Sequence, residues 1–238
     1  MSAPSNKGTL GVIGGMGPLA TATFFELLVQ HTQAATDQEH LDIIIYNMPR
    51  IPDRTGFILG RNEESPGPLL SEYARKLQAE GVAAIAVPCV TATYFYDEII
   101  KSTGANVINT IDEIAVHIVN RNAKKIGLMA TDGTITTRIF QKYMVKYGIE
   151  CVTPDEAHQK LVMKVIFEGV KAGRDVNMSE FHSVAAHLKD CGCDAIILGC
   201  TELSVVNKQH GLDPNVFVDA LVVLAGASIL RCGGKVKF

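Results

Sequence analysis

Residues 84–93 read AIAVPCVTAT and residues 195–203 read AIILGCTEL. Each is a short apolar run that ends on a cysteine with a threonine close behind, Cys89 with Thr91 and Cys200 with Thr201. Apolar runs without polar alternation read as strands buried on both faces, and such strands belong to parallel sheets covered by helices. In open parallel sheets ligands sit beyond the carboxyl ends of the strands. Both cysteines stand at such an end, so the two stretches raise the fold and the chemistry together.

Reading outward, TLGVIG (9–14), LDIIIYN (41–47) and VAAIAV (82–87) predict further strands. PLLSEYARKLQAEG (68–81) predicts an amphipathic helix that stops at Gly81, and SEFHSVAAHLKDCG (179–192) a helix capped by Gly192. Strands alternating with helices imply an α/β fold. The chain also repeats itself. GVIGGMGP begins at Gly11 and GLMATDGT at Gly127, and in both a strand runs into a loop whose seventh residue is glycine, Gly17 or Gly133. Past each cysteine comes another β-rich stretch, NVINTIDEIA from Asn106 and NVFVDALVVLA from Asn215. The offsets between halves are 116 (Gly11 to Gly127), 111 (Cys89 to Cys200) and 109 (Asn106 to Asn215). Landmarks kept in order at near-constant offset indicate duplicated units. The expectation is two pseudo-symmetric flavodoxin-like halves, residues 1–112 and 113–217, each a parallel sheet flanked by helices. Facing each other across a pseudo-two-fold axis, they bring Cys89 and Cys200 to one shared cleft, which is where an active site is expected.

The bulk composition narrows the function. The 238 residues are 47% hydrophobic and 20% charged with a formal net charge of -3, and no basic stripe suited to nucleic acid occurs. No apolar run is long enough to span a membrane. MSAPSNKGTLGVIGG lacks the basic start and apolar stretch of a secretory leader, so none is expected. The six cysteines then read as reduced thiols in the cytoplasm. The glycines at 11, 14, 15 and 17 do not form G-x-G-x-x-G, which argues against a dinucleotide site.

The cysteine pair admits several readings. A disulfide is disfavoured in a reducing compartment. A metal site near Cys191-x-Cys193 with His182 and His187 fits no standard zinc spacing, and that segment reads well as a helix. Both cysteines as small core hydrophobes is an ordinary outcome. The sharper reading is proton transfer on opposite faces of one carbon, with a thiolate as base and a thiol as acid. Each cysteine lies where backbone N–H groups at a helix start favour a thiolate.

GVIGGMGPLAT (11–21), IPDRTGFILG (51–60), the PC-x-TA pattern (88–92), GLMATDGT (127–134), EGVKAG (168–173) and GCTELSVV (199–206) together resemble the aspartate/glutamate racemase superfamily. The resemblance is greatest to its pyridoxal-phosphate-independent aspartate racemases. It runs from about residue 8 to residue 231. It implies a cofactor-independent, metal-free isomerase that interconverts the L and D forms of a small acidic amino acid, with Cys89 and Cys200 as the two catalytic bases. It implies that Arg54 and Lys171 hold the distal carboxylate. On the same resemblance Met16 and Gly17 are expected to line the pocket and Thr91 and Thr201 to bind the α-carboxylate beside Val90, with Thr131 and Thr134 doing the same from the pseudo-symmetric loop. Glu202 orients a group near Cys200 or caps a helix. The family also suggests that segment 218–238 packs back on the first half. The apolar run DALVVLAGASIL (219–230) is either buried between units or a dimer contact, and a homodimer is expected. Without the family, a loop salt bridge for Arg54 and a solvated helix end for Lys171 are the simpler readings.

Two departures stand out. Such racemases read PCNTAH where this chain has Val90 in place of asparagine and Thr93 in place of histidine. Valine keeps the backbone N–H but removes an amide from the pocket, which bears on the substrate more than on the chemistry. The alternatives are therefore a related racemase or isomerase of glutamate or another dicarboxylic acid, and a catalytically silent binder of acidic ligands.

Overall fold

The computed structural model describes residues 7–237. Residues 1–6 and 238 lie outside the described residues, and with them the start of the stretch that bears on a leader. The first half runs β1 (Leu10–Gly14), α1 (Pro18–His31), β2 (Ile43–Asn47), α2 (Arg54–Ile58), α3 (Gly67–Ala79), β3 (Ala84–Ala86), a 3-10 turn (Val90–Phe95), α4 (Tyr96–Thr103) and α5 (Thr110–Asn120). The second runs β4 (Lys125–Met129), α6 (Asp132–Thr137), α7 (Ile139–Met144), β5 (Glu150–Val152) and α8 (Glu156–Met163), which continues as a π-helical stretch (Lys164–Val170). It ends with α9 (Met178–Asp190), β6 (Ala195–Leu198), α10 (Thr201–His210), β7 (Phe217–Asp219) and α11 (Ala220–Arg231).

Two parallel sheets flanked by helices result. Their strand orders are β2-β1-β3 and β5-β4-β6-β7. The first is extended at its β3 edge by a parallel bridge from Val107 to Ile85, the counterpart of β7 beside β6. The two central strands are matched in detail. A side chain at Gly11 of β1 would meet Leu77 of α3 at 3.0 Å, and one at Gly127 of β4 would meet Leu188 of α9 at 2.9 Å. In both halves, then, glycine lets a helix lie close against the central strand. Gly81 and Gly192 both adopt positive φ, 74° and 81°, just past the ends of α3 and α9, the left-handed step that stops a helix.

The last helix of each half crosses to the other half. The apolar face of α5, Ile111, Ile114, Ala115 and Ile118, is buried against Ile126 and Leu128 of β4 and Ile197 of β6. Conversely Leu221, Leu224, Ala225 and Ile229 of α11 pack on Leu10 and Val12 of β1 and Ala84 and Ala86 of β3. Alternation along β6 sets this up, since Ala195 and Ile197 face one core and Ile196 and Leu198 the other. Each crossing helix starts abruptly on a side-chain cap. Asn109 Oδ1 accepts from Asp112 N at 3.1 Å, and Asp219 Oδ1 accepts from Leu221 N at 2.8 Å.

The expectation that residues 218–238 return to the first half is therefore corrected in part. Phe217, Val218 and Asp219 pair in parallel with Ile196, Ile197 and Leu198 and stay in the second sheet, and Asp219 then caps α11. From α11 onward the chain does lie on the first half: Gly8 N donates to Cys232 O at 2.9 Å and Lys237 N to His31 O at 2.8 Å. The apolar character of α11 is accordingly buried between units, the first of the two expected explanations. Among the described residues no helix is long and apolar enough to cross a membrane.

Candidate functional site

β3 ends three residues before Cys89 and β6 two residues before Cys200, and the chain stays extended through each cysteine, at φ -155° for Cys89 and -134° for Cys200. Each cysteine occupies the N-cap position of the next element, the 3-10 turn for Cys89 and α10 for Cys200. Both are buried, 6% and 5% exposed, and all six cysteines are free thiols. The Cys89 turn is 3-10 rather than the expected α-helix start.

Both cysteines line one pocket between the halves, together with Met16, Arg54, Val90, Thr91, Thr131, Lys171, Thr201 and Glu202. Ten of the twelve site residues read from the sequence are thus gathered there. Gly17 borders a neighbouring outer cavity that also touches Met16, Arg54, Lys171 and Glu202. Thr134 stands just behind the wall. Its hydroxyl is 3.1 Å from Thr91 Oγ1 and 3.2 Å from Thr131 Oγ1, and Thr91 and Thr131 are 3.1 Å apart, so a hydroxyl triangle joins the halves. Thr93 points elsewhere, into a surface pocket with Tyr94 and Asp97, so only Val90 of the two departures touches the thiol pocket. Val90 also packs into the second core beside Ile111 and Ile114.

The inner pocket is tight. Only about 10 Å³ of it has room for the centre of a water molecule, against about 400 Å³ in the outer cavity. The inner space is room for about one water, and the residues shared by the two cavities form its mouth.

A chain of ionic contacts fills that mouth. Lys171 Nζ donates to Glu202 Oε1 at 2.5 Å, and the Cys200 thiol donates to Glu202 Oε2 at 2.9 Å. Burial, reinforced by the Glu202 carboxylate, pushes the Cys200 thiol well above the usual thiol range, with Lys171 opposing. Burial also pulls on the Lys171 ammonium, but Glu202, Cys200 and Cys89 outweigh it and hold it above the ordinary lysine value. One cation therefore feels both sulfurs. Lys171 directly follows the π-helical stretch, and Phe167 within that stretch places its ring 5.6 Å from Nζ.

Arg54 is buried and, among the described residues, in no carboxylate salt bridge. Its Nη1 donates to Ile51 O and Pro52 O at 3.1 and 2.9 Å, and its Nη2 to Met16 O at 3.1 Å. The Nε N–H is buried without a partner among the described residues, a free donor in a wall that already carries positive charge. Three lining residues escaped the sequence reading: Asp53, Thr55 and Phe167. Asp53 caps α2 by accepting from Gly56 N at 2.5 Å. Its place before a short helix was a capping signal, but nothing local in the sequence marks Thr55 or Phe167.

A duplicated α/β scaffold with two thiols in a pocket between its halves is the arrangement that the resemblance to amino-acid racemases implies. The chain belongs to the Asp/Glu/hydantoin racemase family, whose model matches residues 13–227. Among its relatives, the broad specificity amino-acid racemase RacX of Bacillus subtilis is 25% identical over 232 residues, covering 92% of this chain and 96% of that one. The Picrophilus torridus aspartate racemase structure superposes with a TM-score of 0.82 at 31% identity, covering 97% of this chain and 96% of that chain. An aspartate racemase homologue from Pyrococcus horikoshii shares the fold, with a TM-score of 0.76 at 23% identity over 94% of this chain and 99% of that chain.

Proposed function

We propose that the chain racemises a small acidic amino acid, aspartate first among them, by proton transfer between Cys89 and Cys200 without pyridoxal phosphate or metal. The single observation that carries this reading is that two thiols at equivalent strand ends of the duplicated halves line one pocket. The aspartate racemase at 31% identity supports the choice of substrate.

In this mechanism the substrate enters from the outer cavity and displaces the side chains at the mouth. The Lys171 ammonium has three donors. It keeps one on Glu202 and offers the others to the distal carboxylate, while the orphaned Arg54 Nε–H supplies a second charged donor. Thr91, Thr131 and the Thr201 backbone face the α-carboxylate. One thiolate removes the α-proton and the opposite thiol delivers its own proton to the other face. Cys200, held neutral by burial and Glu202, is the acid in the direction that uses Cys89 as base. After turnover the proton rests on Cys89 and the negative charge on Cys200, where the Lys171 ammonium stabilises it; the reverse reaction exchanges the roles. Charge developing on the carbanion flows into the α-carboxylate and is met by preorganised donors in a site nearly free of water.

A second reading, a wider or shifted substrate range within the same chemistry, is favoured by Val90, which places an aliphatic group where an amide donor is expected, and by the likeness to a broad specificity racemase. Working thiols require a reducing compartment, so the proposal includes a cytoplasmic setting. It also includes a homodimer. The test is chiral analysis of L-aspartate incubated in heavy water with no cofactor added, beside glutamate and asparagine. D-aspartate carrying deuterium at Cα is expected. No exchange with any of the three, despite measurable binding, would make the chain a silent binder.

A further inference from the structure

Away from the thiol pocket, the packing of α8 against α9 gathers another set of donors. Asp155 caps α8, its Oδ1 accepting from His158 N at 2.9 Å, and His158 Nδ1 is 2.7 Å from the same oxygen. The His187 ring, from the last turn of α9, stacks on the His158 ring with centroids 4.1 Å apart and planes 11° apart. Its Nδ1 is 3.9 Å from Asp155 Oδ2. One ligand atom from each of the three lies within 4.8 Å of the others. Cys191 Sγ, one helical turn beyond His187, is 4.0 Å from its Nε2.

We propose that Asp155, His158 and His187 form a binding site for a divalent transition metal of the zinc class. Two imidazoles and a carboxylate are borderline donors suited to zinc, whereas calcium and magnesium select oxygen ligands alone. Zinc takes nitrogen and oxygen at about 2.0–2.2 Å, so ligand atoms around a tetrahedral centre lie about 3.4 Å apart. The donors must close by little more than 1 Å. The two histidines are only about a quarter exposed and Asp155 about half, so small side-chain rotations suffice. Asp155 Oδ1 serves the cap, which leaves Oδ2 for the metal. The bound ion ties the start of α8 to the end of α9.

The set differs from the Cys191, Cys193, His182 and His187 grouping, which fits no standard zinc spacing. His187 stays, but Cys193 is buried in the second core, where desolvation raises its thiol pKa, and His182 sits edge-on to Phe181. Asp155 and His158 come from the neighbouring helix, out of reach of a linear motif.

The experiment is calorimetric titration of Zn²⁺ into the full chain carrying Cys89→Ser and Cys200→Ser, which removes the thiol pocket as a competing zinc site. One equivalent is expected to bind. In that background His158→Gln and His187→Gln should each weaken it at least about tenfold, and together abolish it, with the far-ultraviolet circular dichroism unchanged. A chain that binds no zinc, or a double glutamine variant that binds as tightly as its parent, overturns the proposal.

Discussion

Arg54→Met tests how the pocket recognises its acid. Arg54 does two things: its Nη atoms tie Met16 O, Ile51 O and Pro52 O together, and its Nε–H is left without a partner. If Nε–H meets the distal carboxylate, methionine removes one charged hydrogen bond. That is worth about 1.5–3 kcal/mol, or a factor of about 13 to 160 in kcat/KM at RT of about 0.59 kcal/mol. Losing the loop ties lowers activity on every substrate, so the informative quantity is the ratio of kcat/KM for aspartate to that for asparagine, which has the same shape without the charge. Because the asparagine amide oxygen still accepts a neutral hydrogen bond, that ratio should fall by the charged-minus-neutral difference of about 1–1.5 kcal/mol, a factor of about 5 to 13. Arg54→Lys restores the charge but not the fork that spans three carbonyls, so it should recover part of the ratio and little of the chain's stability. An unchanged aspartate-to-asparagine ratio in Arg54→Met would refute the assignment, however slow the variant is.

Glu202→Gln removes the carboxylate that raises the Cys200 thiol while leaving Lys171, which lowers it; at a fixed pH near 8, residue-resolved alkylation of Cys200 should be faster than in the parent, and an equal rate would detach Glu202 from the thiol. Ile118→Ala on α5 should cost about 2–5 kcal/mol in urea unfolding, with amide exchange loosened in β4 and β6, because Ile118 is fully buried beside Ile126 and Leu128; loosening confined to β1 and β3 would contradict the helix crossing. Burial, with Cys193 adding to it, pushes the Cys151 thiol up to about 12, and burial alone takes Cys232 to about 11. An unfolded thiol ionises near 8.5, so above about pH 9 the native state holds protons that the unfolded state has lost. Stability is then fully present below that range and falls as pH rises, by up to about 1.4 kcal/mol per unit per thiol. Urea midpoints that stay level from about pH 8 to 10.5 would count against buried thiols.

Much of the fold was legible because its signals are local. Apolar runs ending at Cys89 and Cys200, the glycines that stop α3 and α9, and the near-constant offset between halves all reflect short-range patterning. The fate of β7 was not, because a three-residue strand carries no period and only the facing core decides which sheet it joins. The NVIN stretch likewise shrinks to a single bridge at Val107 before Asn109 caps a helix. In the site, the identities of the pocket residues could be read by resemblance, but their contacts could not. The relay from Lys171 through Glu202 to Cys200 spans 31 residues of sequence between its first two members. The donors that occupy Arg54 end on backbone carbonyls, which leave no mark on residue type.

The central claim concerns two sulfurs acting on one carbon, and single-cysteine variants address it directly. Racemisation of L-aspartate and of D-aspartate should be measured for Cys89→Ala and Cys200→Ala against the parent chain, with folding checked by circular dichroism. Each change removes one of the two proton-transfer groups, so both variants should lose about 10²–10⁴-fold or more in both directions. A folded variant of either kind that racemises at close to the parent rate would contradict the two-base account.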